Sequence, residues 1–339
     1  IEHGDELAAR VGAGLEVVGV AVRNPDAVRT PSVPAELITT DAASIIPGAD
    51  IVVELIGGLE PARTLVLEAL ASGADVVTAN KALLATHGPE LFAAAEQVGA
   101  QVYYEAAVAA AIPIIRPLRE SLAGDRVRRI LGIVNGSTNF ILDKMDTEGM
   151  SASDAQALAL ELGYLEADPT LDMEGFDAAQ KAAILASLAF HTHVPLDAVY
   201  REGISAITDE QVASAKAAGY VVKLLAIAER IDDPETGREG VSARVHPALV
   251  PSTHPLAAVH GGNNAVFVEA EFAGSLMFYG AGAGGVQTAS AVLGDIVSAA
   301  RRHLAGGPGV AESSSADLVV LPIDVALTSY QITLEVVAG

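Results

Sequence analysis

Cysteine is absent from this sequence, and basic residues are scarce. Without a thiol the chain has no disulfide, no thiolate metal ligand and no cysteine nucleophile. The 20 Lys and Arg residues face 43 Asp and Glu residues, which gives a formal charge of −23. A chain this acidic repels the phosphates of DNA and RNA, so we expect no nucleic-acid partner.

Long apolar runs are lacking too. No run reaches the roughly 18 residues that cross a bilayer, and no basic segment followed by an apolar one opens the sequence. We therefore expect no membrane association and a cytoplasmic location. In contrast, 51% of the 339 residues are hydrophobic and 32 are glycine, which is typical of a packed α/β core. A chain of this length predicts about two domains.

Short apolar runs alternate with helical patterns through the first third of the sequence. The runs are EVVGVAV (16–22), DIVVELIGG (50–58), ADVVTAN (74–80) and QVYYEAAV (101–108), and the helical patterns between them are PARTLVLEALASG and GPELFAAAEQVGA. Strand–helix–strand repetition at this spacing predicts a parallel sheet with right-handed crossovers, and therefore a doubly wound, Rossmann-like α/β domain.

Ligands of such sheets bind at the carboxyl ends of the strands. The candidate cofactor residues at those ends are Arg23, Gly57, Thr78, Asn80 and Lys81. An arginine after the first strand suits the 2′-phosphate of NADP, although an ordinary surface arginine is an equal alternative. Lys81 either reaches a phosphate or carboxylate or simply starts a helix.

The strand and glycine turn that open a dinucleotide-binding fold are not seen at the start of this sequence, which begins with a helical pattern. We therefore expect the first strand to be absent. The run GAGAGG (280–285) matches G-x-G-x-x-G, but no acidic residue ends a further strand about twenty residues later. A glycine turn that admits a ligand or closes the domains is favoured over the primary cofactor fingerprint, and plain packing of the glycines is the remaining alternative.

The pattern changes after residue 113 to that of an α+β region. RVRRILGIVNGSTNFILDKM (126–145) predicts a strand that runs into a helix, with Ser137 or Thr138 as the N-cap. Two helices follow at about 152–162 and 175–190, then several strands joined by short turns, and then a long helix from about Thr288 to His303.

Residues 163–181, GYLEADPTLDMEGFDAAQK, hold five carboxylates and close on a lysine. Asp177 and Lys181 are four apart, so they face the same side of a helix that starts near Gly175. On a surface such an ion pair contributes only ~0.2–0.5 kcal/mol. Within the apolar flanking sequence the pair can instead be buried, with coupled pKa values, and the lysine can act as a general acid or base.

The segment EAAVAAAIPII (105–115) places Glu105 at a strand end before an apolar loop. Loop carbonyls and one carboxylate would make an oxygen cage for a simple cation. From the residues alone, a capping or salt-bridging glutamate is the favoured alternative.

Five motifs, in order, resemble the homoserine dehydrogenase family. They are VVTANKALLA (76–85), EAAVAAAIPII (105–115), NGSTNFIL (135–142), the stretch 163–181 and GAGAGGVQTASAVLGD (280–295). The resemblance runs from about residue 16 to residue 304. It implies NAD(P)-dependent interconversion of L-homoserine and L-aspartate 4-semialdehyde in the biosynthesis of threonine, methionine and isoleucine, with NADP slightly favoured over NAD.

The resemblance also implies roles for individual residues. Lys181 is the acid/base, and Asp177 orients and tunes it. Gly282 and Gly284 lie near the nicotinamide. The family's substrate site maps to Glu166, Lys81, Gly163, Asp172, Ser137 and Thr138, with Glu166 on the ammonium group, and its sodium site maps to Glu105, Val108, Ala110 and Ile112.

The domains expected on this basis are a nucleotide-binding domain at 1–112 and 286–304 and a substrate-binding and oligomerisation domain at 113–285. Residues 305–339 would form a linker and the start of a truncated C-terminal regulatory domain. We expect a homodimer or homotetramer. The alternative is a truncated, non-catalytic form that serves as an oligomerisation scaffold. A phosphorylating semialdehyde dehydrogenase is excluded, because that chemistry needs a thiol.

Overall fold

Three β-sheets organise residues 3–30, 32–312, 316 and 318–329, which are the residues that the computed structural model describes. The strands are β1 (Val20–Ala21), β2 (Ile38–Thr39), β3 (Ile51–Glu54), β4 (Asp75–Thr78), β5 (Val102–Tyr103), β6 (Val127–Ile133), β7 (Tyr200–Arg201), β8 (Tyr220–Asp232), β9 (Glu239–Pro251), β10 (Asn263–Ala270), β11 (Gly274–Ala281) and β12 (Val319–Val320). The α-helices are α1 (Gly4–Val11), α2 (Ala62–Ala71), α3 (Lys81–Val98), α4 (Ala106–Ala109), α5 (Gly136–Glu148), α6 (Ala152–Glu161), α7 (Thr170–Met173), α8 (Phe176–Phe190), α9 (Asp209–Ala217) and α10 (Gly285–Ala305).

The first part of the chain carries two parallel sheets. β1 pairs with β2, and β3, β4 and β5 form a second sheet in that order, with α2 and α3 as the connections. The four residues of β4 are all buried, as in a strand covered on both faces. This arrangement confirms the predicted strand–helix alternation.

Two predicted boundaries in this region are wrong. The strand at 101–108 ends at Tyr103, and α4 starts at Ala106, because a run of alanines favours helix over strand. The helix placed at 88–100 begins earlier, at Lys81. The Asn80 side chain caps it by accepting a hydrogen bond from the Leu83 N–H at 3.1 Å, and Pro89 lies inside the helix.

The second part of the chain is built on a mixed seven-stranded sheet. Its order is β11-β10-β6-β8-β9-β12, and β7 also pairs with β9. Helices α5, α8 and α9 pack against this sheet. One buried cluster contains Val76 and Leu83 from the parallel part together with Ile130 and Val222 from the mixed sheet. The two parts therefore share a hydrophobic core.

The long helix α10 returns from the mixed sheet to the parallel one. Its Ala291, Val292 and Ala299 pack against Val77 and Tyr103. This packing agrees with a nucleotide-binding domain that includes residues 286–304, although the domain boundaries stay a prediction. The strand-like run that closes the sequence falls outside the described residues from 330 onward. None of the described helices is both long and apolar enough to span a membrane.

Candidate active site

A buried ion pair on α8 forms the centre of the candidate site. The Lys181 Nζ lies 2.7 Å from the Asp177 Oδ2, and it also donates a hydrogen bond to the Val134 carbonyl at 2.6 Å. Only 10% of each of the two ion-pair side chains is exposed. The i,i+4 spacing places both groups on one side of the helix, and the apolar face around them packs into the core. The interpretation as a buried pair is therefore the one that the structure supports.

Asp177 also meets a second lysine. The Lys81 Nζ lies 3.1 Å from the Asp177 Oδ1, and Lys81 is the first residue of α3 at the carboxyl end of β4. Its side chain is 40% exposed, so it faces the open side of the site. Burial raises the pKa of Asp177, but the positive charges of Lys181 and Lys81 outweigh it and lower the pKa to about 2. The carboxylate is therefore ionised at neutral pH.

Asn135 is a site residue that the sequence did not reveal. Its Oδ1 caps α5 by accepting from the Thr138 N–H at 2.9 Å. Its Nδ2 donates to the Asp172 Oδ1 at 2.7 Å and to the Asp177 Oδ2 at 3.0 Å. The prediction of Ser137 or Thr138 as N-cap is wrong because the helix starts earlier, at Gly136, and Asn135 has the extended backbone of a cap. Asparagine is a preferred N-cap residue, so its position just before the helix was the signal for this cap in the sequence.

The other predicted substrate residues lie on α5 and in the loop after α6, and each makes different contacts. The Thr138 hydroxyl is buried and donates to the Asn135 carbonyl, so it points back into the cap. The Ser137 hydroxyl donates to the Tyr164 carbonyl at 2.6 Å and ties α5 to the loop after α6. Gly163 follows the C-cap residue of α6, Leu162, and has a left-handed backbone with φ of 77°. Glu166 is exposed in the same loop.

Polar side chains at the ends of β3 and β4 form a connected network. The buried Glu54 carboxylate accepts from the Ile56 and Gly57 N–H groups and from the Thr78 hydroxyl at 2.6 Å. The Thr78 hydroxyl in turn accepts from the Asn80 N–H at 3.0 Å.

The side chain of Asn80 closes this network by donating to the Gly58 carbonyl at 2.7 Å. The structure thus brings the predicted residues Gly57, Thr78 and Asn80 together at one edge of the sheet, and Glu54 is an added member. Arg23 lies just after β1 and is exposed.

The glycine run at 280–285 is the turn from β11 into α10. Because β11 belongs to the antiparallel part of the mixed sheet, the run is not the first turn of a parallel nucleotide-binding unit. The less favoured fingerprint interpretation is therefore wrong. Gly284 has a φ of 124°, and a Cβ on Gly282 would lie 2.0 Å from the Asn264 Cγ, so both positions require glycine.

In the segment predicted to bind sodium, the Glu105 carboxylate accepts hydrogen bonds from four N–H groups. Its Oε1 accepts from the Ile114 and Ile115 N–H at 2.6 and 2.7 Å, and its Oε2 accepts from the Arg116 N–H and Nε at 3.0 and 3.1 Å. Both oxygens are therefore engaged by donors, so the carboxylate does not fit the role of a cation ligand. The capping and salt-bridging alternative describes Glu105 better.

The rest of that segment is buried, and its backbone is unusual. Ala110 has φ of 47° and ψ of −107°, a conformation that residues other than glycine rarely adopt. Val108 and Ile112 are buried on either side of it. Within the described residues no group of three or more His, Asp or Glu side chains could hold a metal ion. A cation here would have to be held by main-chain oxygens.

Known proteins match this chain over nearly its whole length. A family model described as "Homoserine dehydrogenase" matches residues 113–297, and one described as "Homoserine dehydrogenase, NAD binding domain" matches residues 3–105. Homoserine dehydrogenase of Corynebacterium glutamicum is 54% identical over 99% of this chain and 75% of its own length. That of Mycobacterium tuberculosis is 56% identical over 98% of this chain, again with 75% of its own length covered.

Solved structures give the same result. A homoserine dehydrogenase from Thiobacillus denitrificans has a TM-score of 0.90 at 44% identity and covers 96% of this chain and 76% of its own. A hyperthermophilic archaeal homoserine dehydrogenase in complex with NADPH has a TM-score of 0.65 at 33% identity, covering 79% of this chain and 76% of its own. The predicted fold class of a Rossmann-like nucleotide domain with a second, α+β region is confirmed. These matches give no support to a non-catalytic scaffold. The chain belongs to the homoserine dehydrogenase family of NAD(P)-dependent oxidoreductases.

Proposed function

We propose that Lys181 is the proton-transfer group in the interconversion of L-homoserine and L-aspartate 4-semialdehyde. The observation that carries this proposal is the buried Lys181 amine, held between the Asp177 carboxylate and the Val134 carbonyl. In the oxidative direction a neutral Lys181 takes the hydroxyl proton of homoserine. In the reductive direction its ammonium returns that proton to the carbonyl oxygen. A bound nicotinamide cofactor accepts or supplies the hydride.

The charges around Lys181 match the charges of the substrate. Homoserine and the semialdehyde each carry a carboxylate and an ammonium group. The partly exposed Lys81 and the N-terminal N–H groups of α5 beside Ser137 offer positive potential for the carboxylate. Glu166, in the loop that Ser137 anchors, supplies the negative charge for the ammonium. Asp172 and Gly163 shape the pocket, one through Asn135 and the other by turning the chain out of α6.

The edge formed by Gly57, Thr78 and Asn80 is the proposed cofactor site, continued by the glycine turn at Gly282 and Gly284. NADP is proposed over NAD because the exposed Arg23 stands at the end of β1, where it can meet a 2′-phosphate. Replacing Arg23 with Ala is expected to weaken NADP binding about tenfold and leave NAD binding unchanged. Equal loss for both cofactors would overturn the preference for NADP.

The decisive experiment for the activity is homoserine-dependent reduction of NADP by the purified protein, followed through NADPH absorbance. L-Homoserine is expected to be a substrate, whereas L-threonine and L-serine serve as controls that share its charges. Absence of turnover with homoserine would contradict the proposal. Sodium binding at Glu105, Val108, Ala110 and Ile112, a homodimeric or homotetrameric assembly, and a cytoplasmic location stay predictions.

A further inference from the structure

Asn264, in β10, is a buried amide without a hydrogen-bond partner. Its exposure is 0%, and neither its Nδ2 nor its Oδ1 has a partner within the described part of the chain. Buried side-chain polar groups are nearly always paired, so an unpaired one needs an explanation. The next residues of β10, Ala265, Val266 and Phe267, are buried and apolar. If position 264 only filled space in this core, an apolar side chain would be sufficient there.

The Asn264 amide lies between two glycines from different elements. A Cβ on Gly282 would lie 2.0 Å from the Asn264 Cγ and 2.1 Å from its Nδ2. A Cβ on Gly136, the first residue of α5, would lie 3.5 Å from its Oδ1. The amide is therefore in contact with the glycine turn on one side and with the start of the proposed substrate helix on the other.

Sheet register connects Asn264 to the proposed acid/base. β10 pairs with β6 through Ala265 and Ile133, and continuing that antiparallel register places Asn264 opposite Val134. The Val134 carbonyl is the acceptor for the Lys181 amine. On its other side Asn264 pairs with Gly280, at the end of β11. Asn264 thus stands between the strand that anchors Lys181 and the turn at 280–285.

The start of β10 is held rigidly. The buried Lys223 donates to the Val259 carbonyl at 2.6 Å and to the Asn139 Oδ1 at 2.9 Å. Asn139 in turn donates to the Gly261 carbonyl at 2.8 Å. These contacts fix the turn before β10 against α5, so the position of Asn264 is set in advance of any ligand.

Hydride transfer places a specific chemical group near this amide. The ring carbon of nicotinamide that exchanges the hydride must meet the reacting carbon of the substrate, whose oxygen meets Lys181. The carboxamide of nicotinamide is attached to the neighbouring ring carbon, so it must also lie close to Lys181 and Val134. A carboxamide is neutral and offers both a donor and an acceptor, which complements the two unpaired atoms of Asn264.

We infer that Asn264 recognises the carboxamide of the nicotinamide cofactor. This inference rests on the proposed function and adds to it a residue that neither motif nor charge indicated. The turn over the amide must shift for the two groups to pair, and its residues Gly282, Ala283, Gly284 and Gly285 carry nothing larger than a methyl group. Lys81 and Glu166 are available for the charged ends of the amino-acid substrate, which leaves the Asn264 amide for the cofactor.

The first test separates recognition from packing. Asn264→Leu keeps the approximate shape but removes both unpaired polar atoms, so the cofactor-free protein should be as thermally stable as the wild type or more stable. Its Kd for NADPH should rise about tenfold. Asn263→Ala is the matched control, because this neighbouring asparagine is only half-buried and donates to the His260 carbonyl, and it should leave the Kd unchanged. Lower thermal stability of Asn264→Leu with an unchanged Kd would overturn the inference.

The second test identifies the group that Asn264 contacts. The probe is the reduced 3-acetylpyridine analogue of the cofactor, in which a methyl ketone replaces the carboxamide and the N–H donors are lost. Wild-type protein should bind the analogue about tenfold more weakly than NADPH, whereas Asn264→Leu should bind the two about equally. An equal ratio of Kd values in both proteins would overturn the inference. Because the readout is binding, it remains decisive even if the wild type fails to oxidise homoserine, which would contradict only the proposed function.

Discussion

Asp177 and Lys81 form a 3.1 Å ion pair that joins α8, beneath the mixed sheet, to the carboxyl edge of the parallel sheet. The same carboxylate holds Lys181 at 2.7 Å, so one anion sets the distance between a lysine at the cofactor edge and the proposed acid/base. The two parts of the chain that this bridge connects also share one hydrophobic core. Catalysis by hydride transfer needs that fixed relation between cofactor and proton donor.

Removal of the Lys181 amine should abolish turnover. We expect Lys181→Met to lower kcat at least a hundredfold, because a positioned general acid or base contributes about 10²–10⁴-fold. Steady-state rates with homoserine and NADP measure this effect, and far-ultraviolet circular dichroism checks the fold. Lys144→Met is the matched control: Lys144 lies on α5 in an i,i+4 pair with Glu148 and should keep full activity. Comparable rates for both variants would remove Lys181 from the chemistry.

Substitution of Asn135 should affect both stability and activity. Asn135→Ala loses the cap of α5 and is expected to lower the free energy of unfolding by about 1 kcal/mol. It also releases Asp172 and Asp177, so kcat/KM for homoserine should fall at least tenfold. Ser151→Ala removes an equivalent cap from α6, where the hydroxyl accepts from the Asp154 N–H at 3.1 Å. If Ser151→Ala reduced kcat/KM as much as Asn135→Ala, the effect would be due to helix stability alone.

The low pKa of Asp177 predicts a loss of stability in acid. Because the folded-state pKa is depressed to about 2, the ionised carboxylate stabilises the protein above its unfolded pKa of about 4. That contribution, about 2 kcal/mol, should disappear as the pH falls from about 4 to 2. Urea unfolding of wild type and Asp177→Asn between pH 5 and pH 2 would measure it. The two stabilities should converge at low pH, and a constant difference would contradict this assignment.

The raised pKa of Asp295, on α10, predicts the opposite dependence of stability on pH. Burial raises its pKa to about 6, against the lowering effects of the Glu105 N–H and the Arg116 guanidinium. The folded state therefore binds a proton more readily than the unfolded state, and this residue makes stability fall as the pH rises from about 4 to 6. Asp295→Asn should consequently be more stable than wild type at pH 7, by about 3 kcal/mol, and the difference should vanish near pH 4.

The control for Asp295 is Asp26→Asn, which changes an exposed carboxylate in the loop after β1. It should leave the unfolding free energy unchanged at both pH values. A lower stability of Asp295→Asn at pH 7 would show that the ionised carboxylate stabilises the contact between α10 and the segment that begins at Glu105.

Local features of the fold could be predicted from the sequence because they depend on spacing along the chain. The Asp177–Lys181 pair follows from the i,i+4 geometry of one helix, and α6, α8 and α10 follow from apolar periodicity. The five motifs, in their order along the chain, indicated the family, and the resemblance to that family implied roles for the residues in them. The sequence left open whether Lys81 starts a helix, and the structure starts α3 there because the Asn80 side chain caps it, well before Pro89.

Contacts between distant segments were decided only by the tertiary structure. Asn135 binds Asp172 and Asp177 because α5, α7 and α8 pack together, and no spacing in the sequence expresses that packing. Glu54 joins Thr78 because β3 and β4 are parallel neighbours in register. The sequence by itself therefore determined which acid and which lysine could form a pair. The packing of the two parts of the chain decided that the pair is buried, that Lys81 meets it, and that the Asn264 amide lies between the Lys181 anchor and the glycine turn.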